Sequence, residues 1–327
     1  MSFFSKIFGN SSPAPAEDEN AVQAQQNRDF NTLRDDGVRA MSMGEFPFAV
    51  KCFKAALGMK DDLHTLSLYA ETLYRMGDFP EAHNVLTQLS QRDAENVNVL
   101  LLLARVEGEM QMYTEMRDTL FRIKEVDQAH SSVRYLMADA EFHTGNHLTA
   151  IVHLTQLLAD ETDYLPARVL RARVLLDMGS AAQAIEDTQF LMDAVPENEE
   201  IYHLHAQALM QTADTDGAET ILRRLLELNP FHSEGAILLG ALLMQNGRLD
   251  EALGFWNEII ALQPDFAEAY RQRGAVKYQL HNERGAAEDL KRSLELQPES
   301  AAEIQGEFSN LENEMNNRFR NMNPYGF

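Results

Sequence analysis

The sequence predicts an all-α chain made of about eight tandem helix-turn-helix units. Three observations carry this prediction. Pro196, Pro230, Pro264 and Pro298 stand 34 residues apart. Two series of small residues keep the same period: Ala184, Ala218, Ala252 and Ala286, and Ala138, Ala172, Ala206, Gly240 and Gly274. Between these markers, apolar residues recur at three- and four-residue spacing, and no run alternates with the period-two pattern of a strand.

The chain opens with MSFFSKIFG, followed by a polar, Pro-, Ala- and Gln-rich stretch. The first nine residues hold neither a long apolar run nor a small-residue cleavage site, so they do not read as a secretory signal. Phe3, Phe4, Ile7 and Phe8 make one short apolar turn. Residues 1–29 are expected to be a flexible segment, because this composition buries too little surface to order itself.

The repeats follow. Counting the first small residue as position 8, units begin at Phe30, Leu63, Val97, Ser131, Leu165, Glu199, Ser233 and Ala267. They span 30–62, 63–96, 97–130, 131–164, 165–198, 199–232, 233–266 and 267–300. Each unit reads as two amphipathic helices, A and B, of about 14 residues and about 21 Å each. The small residues at positions 8 and 20 let the helices approach, and large residues such as Phe53, Leu222 and Trp256 fill the space beside them. Gly44, Gly77, Gly145, Gly179 and Gly247 fall at the A–B turn, where a left-handed backbone ends helix A. The prolines follow helix B, which they cannot continue. The third unit departs most, with Met116 for Ala, Gln111 for Gly and no Pro; the sixth has Ala213 at the turn.

After the last unit, Ile304, Phe308, Leu311, Met315 and Phe319 form an apolar stripe at helical spacing. Residues 301–319 are therefore expected to be a capping helix and 320–327 a frayed tail. A single unit cannot bury its own apolar faces, so the units are expected to stack into a solenoid with capped ends.

Composition narrows the partners. With 28 Lys and Arg against 51 Asp and Glu, the formal net charge is −23. That charge repels phosphate backbones and anionic lipid, which argues against nucleic acid as a partner. No apolar stretch is long enough for a transmembrane helix, so stable membrane insertion is not expected. Cys52 is the lone cysteine, so no disulfide forms within the chain, and a cytoplasmic setting is expected.

Catalytic motifs are missing. There is no phosphate-binding glycine loop, HExxH helix or GxSxG elbow. Cys52 has no histidine close in sequence to lower its pKa. His143 and His147 straddle Gly145, while His203 and His205 point about 200° apart on one helix, so neither pair makes a metal site alone. Acidic residues gather between units, at Asp61, Asp62, Asp93, Glu95, Asp160, Glu161, Asp163, Glu197, Glu199 and Glu200. There they are expected to cap the following helix. No cofactor and no metal are expected, and the chain reads as non-enzymatic.

A small residue at position 8, Gly at 15, Ala at 20, a large apolar residue at 24 and Pro at 32 together resemble the tetratricopeptide repeat family. EAYRQRGAVKYQLHNERGAAEDLKRSLELQP, from Glu268 to Pro298, is a close match. The resemblance implies a right-handed superhelical solenoid in which helix A lines a concave groove. In that family, positions 2, 5, 9, 12 and 13 face the groove. Carried over, they nominate Tyr74, Arg105, Tyr135, Phe142, Arg173, Gln207, Met210, Met244, Arg271 and Tyr278 as the partner-binding surface. Aromatic and Arg side chains are favoured anchors at interfaces, and Met adapts to irregular partners. The basic clamp by which some members grip a chaperone's C-terminal carboxylate is absent in its usual form: Arg34 and Arg271 are followed at position 9 by Val38 and Ala275.

The expectation is a non-catalytic scaffold or adaptor that binds an extended or helical segment of another protein. The alternatives are an assembly or chaperone factor that holds client segments, and a regulatory subunit that recruits an enzyme.

Overall fold

The computed structural model describes residues 19–123 and 130–298. Contacts divide the chain into two compact units, one ending at Ala167 and the other starting at Arg168. Among the described residues every regular element is a helix.

In the first unit the helices are α1 (Glu19–Ser42), α2 (Phe46–Met59), α3 (Leu63–Met76), α4 (Phe79–Arg92), α5 (Val97–Glu109), α6 (Tyr113–Phe121), α7 (Ser131–His143) and α8 (His147–Asp160). Helix α9 (Leu165–Asp177) follows. The second unit continues with α10 (Ala181–Ala194), α11 (Glu199–Gln211), α12 (Thr215–Leu228), α13 (Ser233–Gln245), α14 (Leu249–Leu262), α15 (Ala267–Gln279) and α16 (Glu283–Leu296). From α1 to α8, and again from α10 to α16, each helix packs on the next in the chain. Contacts between alternate helices, such as α3 with α5 and α13 with α15, add the stacking layer.

Local chemistry explains the element ends. Helices begin at Leu63, Val97, Glu199 and Ser233 behind side chains that accept hydrogen bonds from the free N–H groups of the first turn. Thr65 N–H donates to Asp62 (2.9 Å), Val99 N–H to Asn96 (3.3 Å), Ile201 N–H to Asn198 (3.3 Å) and Gly235 N–H to His232 Nδ1 (3.0 Å). At the A–B turns, Gly44, Gly77, Gly145, Gly179 and Gly247 have φ between +71° and +83°. Gln111, Ala213 and His281 take the same left-handed conformation at the matching position, with φ of 58–61°. Pro196, Pro230 and Pro264 each stand two residues beyond the end of a B helix.

Three expectations need correction or relocation. Helix α1 starts at Glu19, so residues 19–29 are helical rather than linker. The helix-breaking residues of the N-terminal stretch end at Pro15, and no further Gly or Pro occurs until Gly37. Of the inter-unit acidic residues, Asp62 caps the following helix, while Asp61, Asp160 and Glu200 serve as ion-pair partners. Arg92 grips Asp61 with two bonds (2.8 and 2.7 Å), Arg134 pairs with Asp160 and Arg173 with Glu200. The N-terminal Phe cluster, and residues 301–327 where a capping helix and tail are expected, lie outside the described residues.

The core is built from the small-residue seams. Ala49, Ala70, Ala82, Ala104, Ala150, Ala206, Ala218 and Ala252 are fully buried. Phe53 and Trp256 are also fully buried, each beside a glycine at position 8. Cβ atoms on Gly37 and Gly240 would lie 2.6 Å from the Phe53 ring and 2.2 Å from the Trp256 ring. Ala70, Ala104, Ala138 and Ala206 at position 8 go with Leu86, Leu120, Leu154 and Leu222 at position 24, whereas Ala172 goes with Thr188 and Gly274 with Leu290.

Candidate functional site: a tyrosine-lined cleft

The first unit carries a cleft of about 500 Å³, all of whose lining residues precede Arg168. Its walls come from successive A helices and the elements joined to them. Helix α3 supplies Tyr74, α5 supplies Arg105, Gly108 and Glu109, and α6 supplies Tyr113 and Met116. Ser132, Tyr135, Leu136 and Asp139 come from α7, and Tyr164 and Pro166 stand at the start of α9. Residues three or four apart on one helix share a face, which brings Arg105 beside Gly108 and Glu109, and Tyr135 beside Asp139.

Gly108 opens the cleft. It occupies the repeat position held by Tyr74 in the preceding unit and Phe142 in the following one, so the wall there has no side chain. The same glycine explains the departure at Met116, which replaces a periodic alanine. A Cβ on Gly108 would come 3.3 Å from Met116 Sδ, and Met116 is 1% exposed. The bulk missing from helix A is thus supplied from helix B.

Four of the nine tyrosines in the chain line this cleft. Tyr113 stacks on His143, with ring centroids 4.0 Å apart and planes at 12°. Tyr135 and Tyr164 meet at 5.9 Å. Asp139 Oδ1 stands 3.5 Å from His143 Nε2. Burial, with the Asp139 and Glu109 carboxylates adding to it, pushes the Tyr113 phenol above its ordinary pKa, so its hydroxyl stays protonated. Arg105 is exposed and its guanidinium has no hydrogen-bond or ion-pair partner among the described residues. This is unusual here, because nearly every other described arginine is paired.

The residues nominated from the sequence divide unevenly. Tyr74, Arg105 and Tyr135 line the cleft. Phe142 is half-buried and packs against His143 and His147, at 5.0 and 5.5 Å. The others lie in the second unit. There Arg173 pairs with Glu200 and Arg271 with Glu268. Met210 and Met244 pack on the core around Trp256, Gln207 is half-buried, and Tyr278 is 41% exposed. Sequence reasoning did not nominate Tyr113, Tyr164, Glu109 and Asp139. Asp139 falls at a groove position; Tyr113 stands at position 17, the start of helix B, where the two preceding units have Phe46 and Phe79, and Tyr164 is the last residue of its unit.

The reactive candidates are quenched by their surroundings. Cys52 is buried, and burial with the nearby Asp36 raises its thiol pKa. His205 is buried against Thr188 at 2.8 Å, while His203 faces Glu234 at 3.4 Å. Burial lowers the pKa of both rings. Among the described residues no cluster of three or more His, Cys, Asp or Glu is placed to hold a metal ion. No described helix is long and apolar enough to cross a membrane.

A tetratricopeptide repeat profile matches residues 73–140, and a second matches residues 203–266. The first covers most of the cleft. Over 177 residues the chain is 26% identical to DnaJ homolog subfamily C member 3 of Rattus norvegicus, a match over 50% of this chain and 35% of the relative. Over 226 residues it is 26% identical to Protein FlbA of Caulobacter vibrioides, covering 67% of this chain and 37% of the relative. The chain thus spans little more than a third of the curated relatives it matches. Among solved structures, MamA protein is similar at a TM-score of 0.47 and 19% identity, over 54% of this chain and 95% of that one. YrrB, described as a TPR protein with an unusual peptide-binding site, is similar at a TM-score of 0.43 and 21% identity, over 53% and 90% of the two chains. Helix pairs at a 34-residue period run through both profile matches, so residues 73–140 and 203–266 are tetratricopeptide repeats.

Proposed function

We propose that this protein is a non-catalytic scaffold that binds a segment of another protein in the tyrosine-lined cleft of its first unit. One observation carries the reading: Tyr74, Tyr113, Tyr135 and Tyr164 converge on one cleft beside an unpaired Arg105. Tyrosine and arginine are the residues that interfaces favour, because each joins a large contact area to a hydrogen-bonding tip. A guanidinium unpaired among the described residues, where nearly every other described arginine is paired, is a group held ready for a ligand. The proposal narrows the surface nominated from the sequence. Tyr74, Arg105 and Tyr135 bind, Phe142 supports His143 behind them, and the arginines of the second unit are engaged within it.

The test is affinity capture with the intact chain and with a variant carrying Tyr74→Ala, Arg105→Ala and Tyr135→Ala, its fold checked by circular dichroism. A defined set of proteins held by the first and lost by the second supports the cleft. The same set on both would move the binding surface elsewhere.

A further inference from the structure

We propose that the cleft takes a proline-rich, basic segment of its partner in the extended polyproline II conformation. This rests on the binding reading above and adds the ligand's chemistry. The hydroxyls of Tyr74, Tyr113 and Tyr164 form no hydrogen bond among the described residues, and neither does the guanidinium of Arg105. The cleft therefore presents several unused donors close together. An α-helical ligand spends its backbone carbonyls on its own N–H groups and would leave these donors to chance side chains. A polyproline II segment has no internal hydrogen bonds, so every carbonyl is open to a donor. Proline also brings no N–H of its own, and its ring packs flat on an aromatic face.

Charge completes the match. One carboxylate of the cleft, Glu109, has no ion-pair partner among the described residues, while Asp139 is already engaged, 3.5 Å from His143. Proline offers Glu109 nothing, so the ligand needs a cationic side chain at its flank. The net charge of −23 draws a basic segment in and turns an acidic one away.

The probe is a fluorescein-labelled peptide of about ten residues in which proline runs alternate with arginine, read by fluorescence anisotropy on the full chain. Two control peptides replace every proline by alanine, or every arginine by glutamate. The proline–arginine peptide is expected to bind about ten-fold tighter than either control, a difference of about 1.4 kcal/mol. Its affinity should fall as salt rises from about 50 to about 500 mM. Tyr74→Ala with Tyr164→Ala should lose that gain, and Tyr74→Phe with Tyr164→Phe, which keep the rings and the fold, should lose part of it. Equal binding of the alanine peptide, or binding indifferent to both tyrosine pairs, overturns the proposal. If cleft variants lose cellular partners while the proline probe does not bind, the ligand chemistry is wrong and the binding site stands. If they lose no partner, both readings fall together.

Discussion

Gly240 and Trp256 occupy one space: a Cβ carbon on Gly240 would lie 2.2 Å from Cζ2 of the buried indole. The indole Nε1 is buried without a hydrogen-bond partner, so packing alone holds the ring. Gly240→Ala should overpack this seam and destabilise the protein by about 1–3 kcal/mol, outweighing the gain in helix propensity. Trp256→Leu alone should cost about 2 kcal/mol or more through the cavity it leaves. The double variant recreates the Ala–Leu pairing of Ala206 with Leu222, and should be more stable than the two single effects added together. Urea unfolding of all four proteins gives the coupling. A sum that is simply additive would mean the two residues do not share the seam.

Ala213 lies at φ 61° in a turn where five other units have glycine. A left-handed conformation costs a residue with a Cβ about 1–2 kcal/mol, while glycine loses about 0.5–1 kcal/mol through the unfolded chain. Ala213→Gly should therefore stabilise by about 0.5–1 kcal/mol, and Gly247→Ala should do the reverse. Thermal melts that move in the opposite senses would show that the strain is relieved elsewhere.

Asp187 and Asp289 stand three repeats apart at the same position and do the same work. The Asp187 side chain is 1% exposed and holds Arg168 (3.0 Å) and Arg171 (2.7 Å); Asp289 is 6% exposed and holds Arg273 (2.6 Å) and Lys277 (2.8 Å). Removing one partner of a buried pair strands the other, so Asp187→Ala should cost about 3–5 kcal/mol. A chemical melt of the variant checks this, and a loss as small as that of an exposed pair would show that water reaches the arginines.

Glu107 makes stability depend on pH. It is 4% exposed, Thr119 Oγ1 donates to its Oε1 (3.1 Å), and its Oε2 is buried without a partner. Burial pushes its pKa up to about 7, against the pull of the Thr119 hydrogen bond. The folded chain therefore keeps a proton at Glu107 that the unfolded chain has released. That contribution is fully present below about pH 4.5 and is lost as pH rises to about 7. Glu107→Gln keeps an acceptor for Thr119 and cannot ionise. Relative to the parent, it should gain stability between pH 5 and pH 8. His83 Nε2, 3.6 Å from Oε1, contributes a cation only when protonated. A parent-to-variant difference that stays constant over the range would place the titration on another group.

Much of the architecture was legible because its causes are local or periodic. A residue at φ near +70°, a side chain accepting from the third N–H of a helix, and a proline beyond helix B all act within a few residues. Repetition made Ala at positions 8 and 20 visible against a varied background. At the site, Tyr74, Arg105 and Tyr135 were legible because helix A recurs in register. The cleft they share was not, because it depends on Gly108 and Met116 exchanging bulk between two helices. Tyr113 and Tyr164 lie outside helix A, and only the packing of α6 and α7 stacks Tyr113 on His143.

Arg105 and Arg173 show where the division falls. They hold the same repeat position, and sequence treats them alike. In the structure Arg173 is paired with Glu200, and Arg105 in the cleft has no partner among the described residues. By itself the sequence determined the helix pairs, their turns and the residues that line helix A, since these follow from spacing along the chain. The tertiary structure alone decided which of those residues are still available, because availability depends on the charges and rings that neighbouring helices bring within a few ångströms.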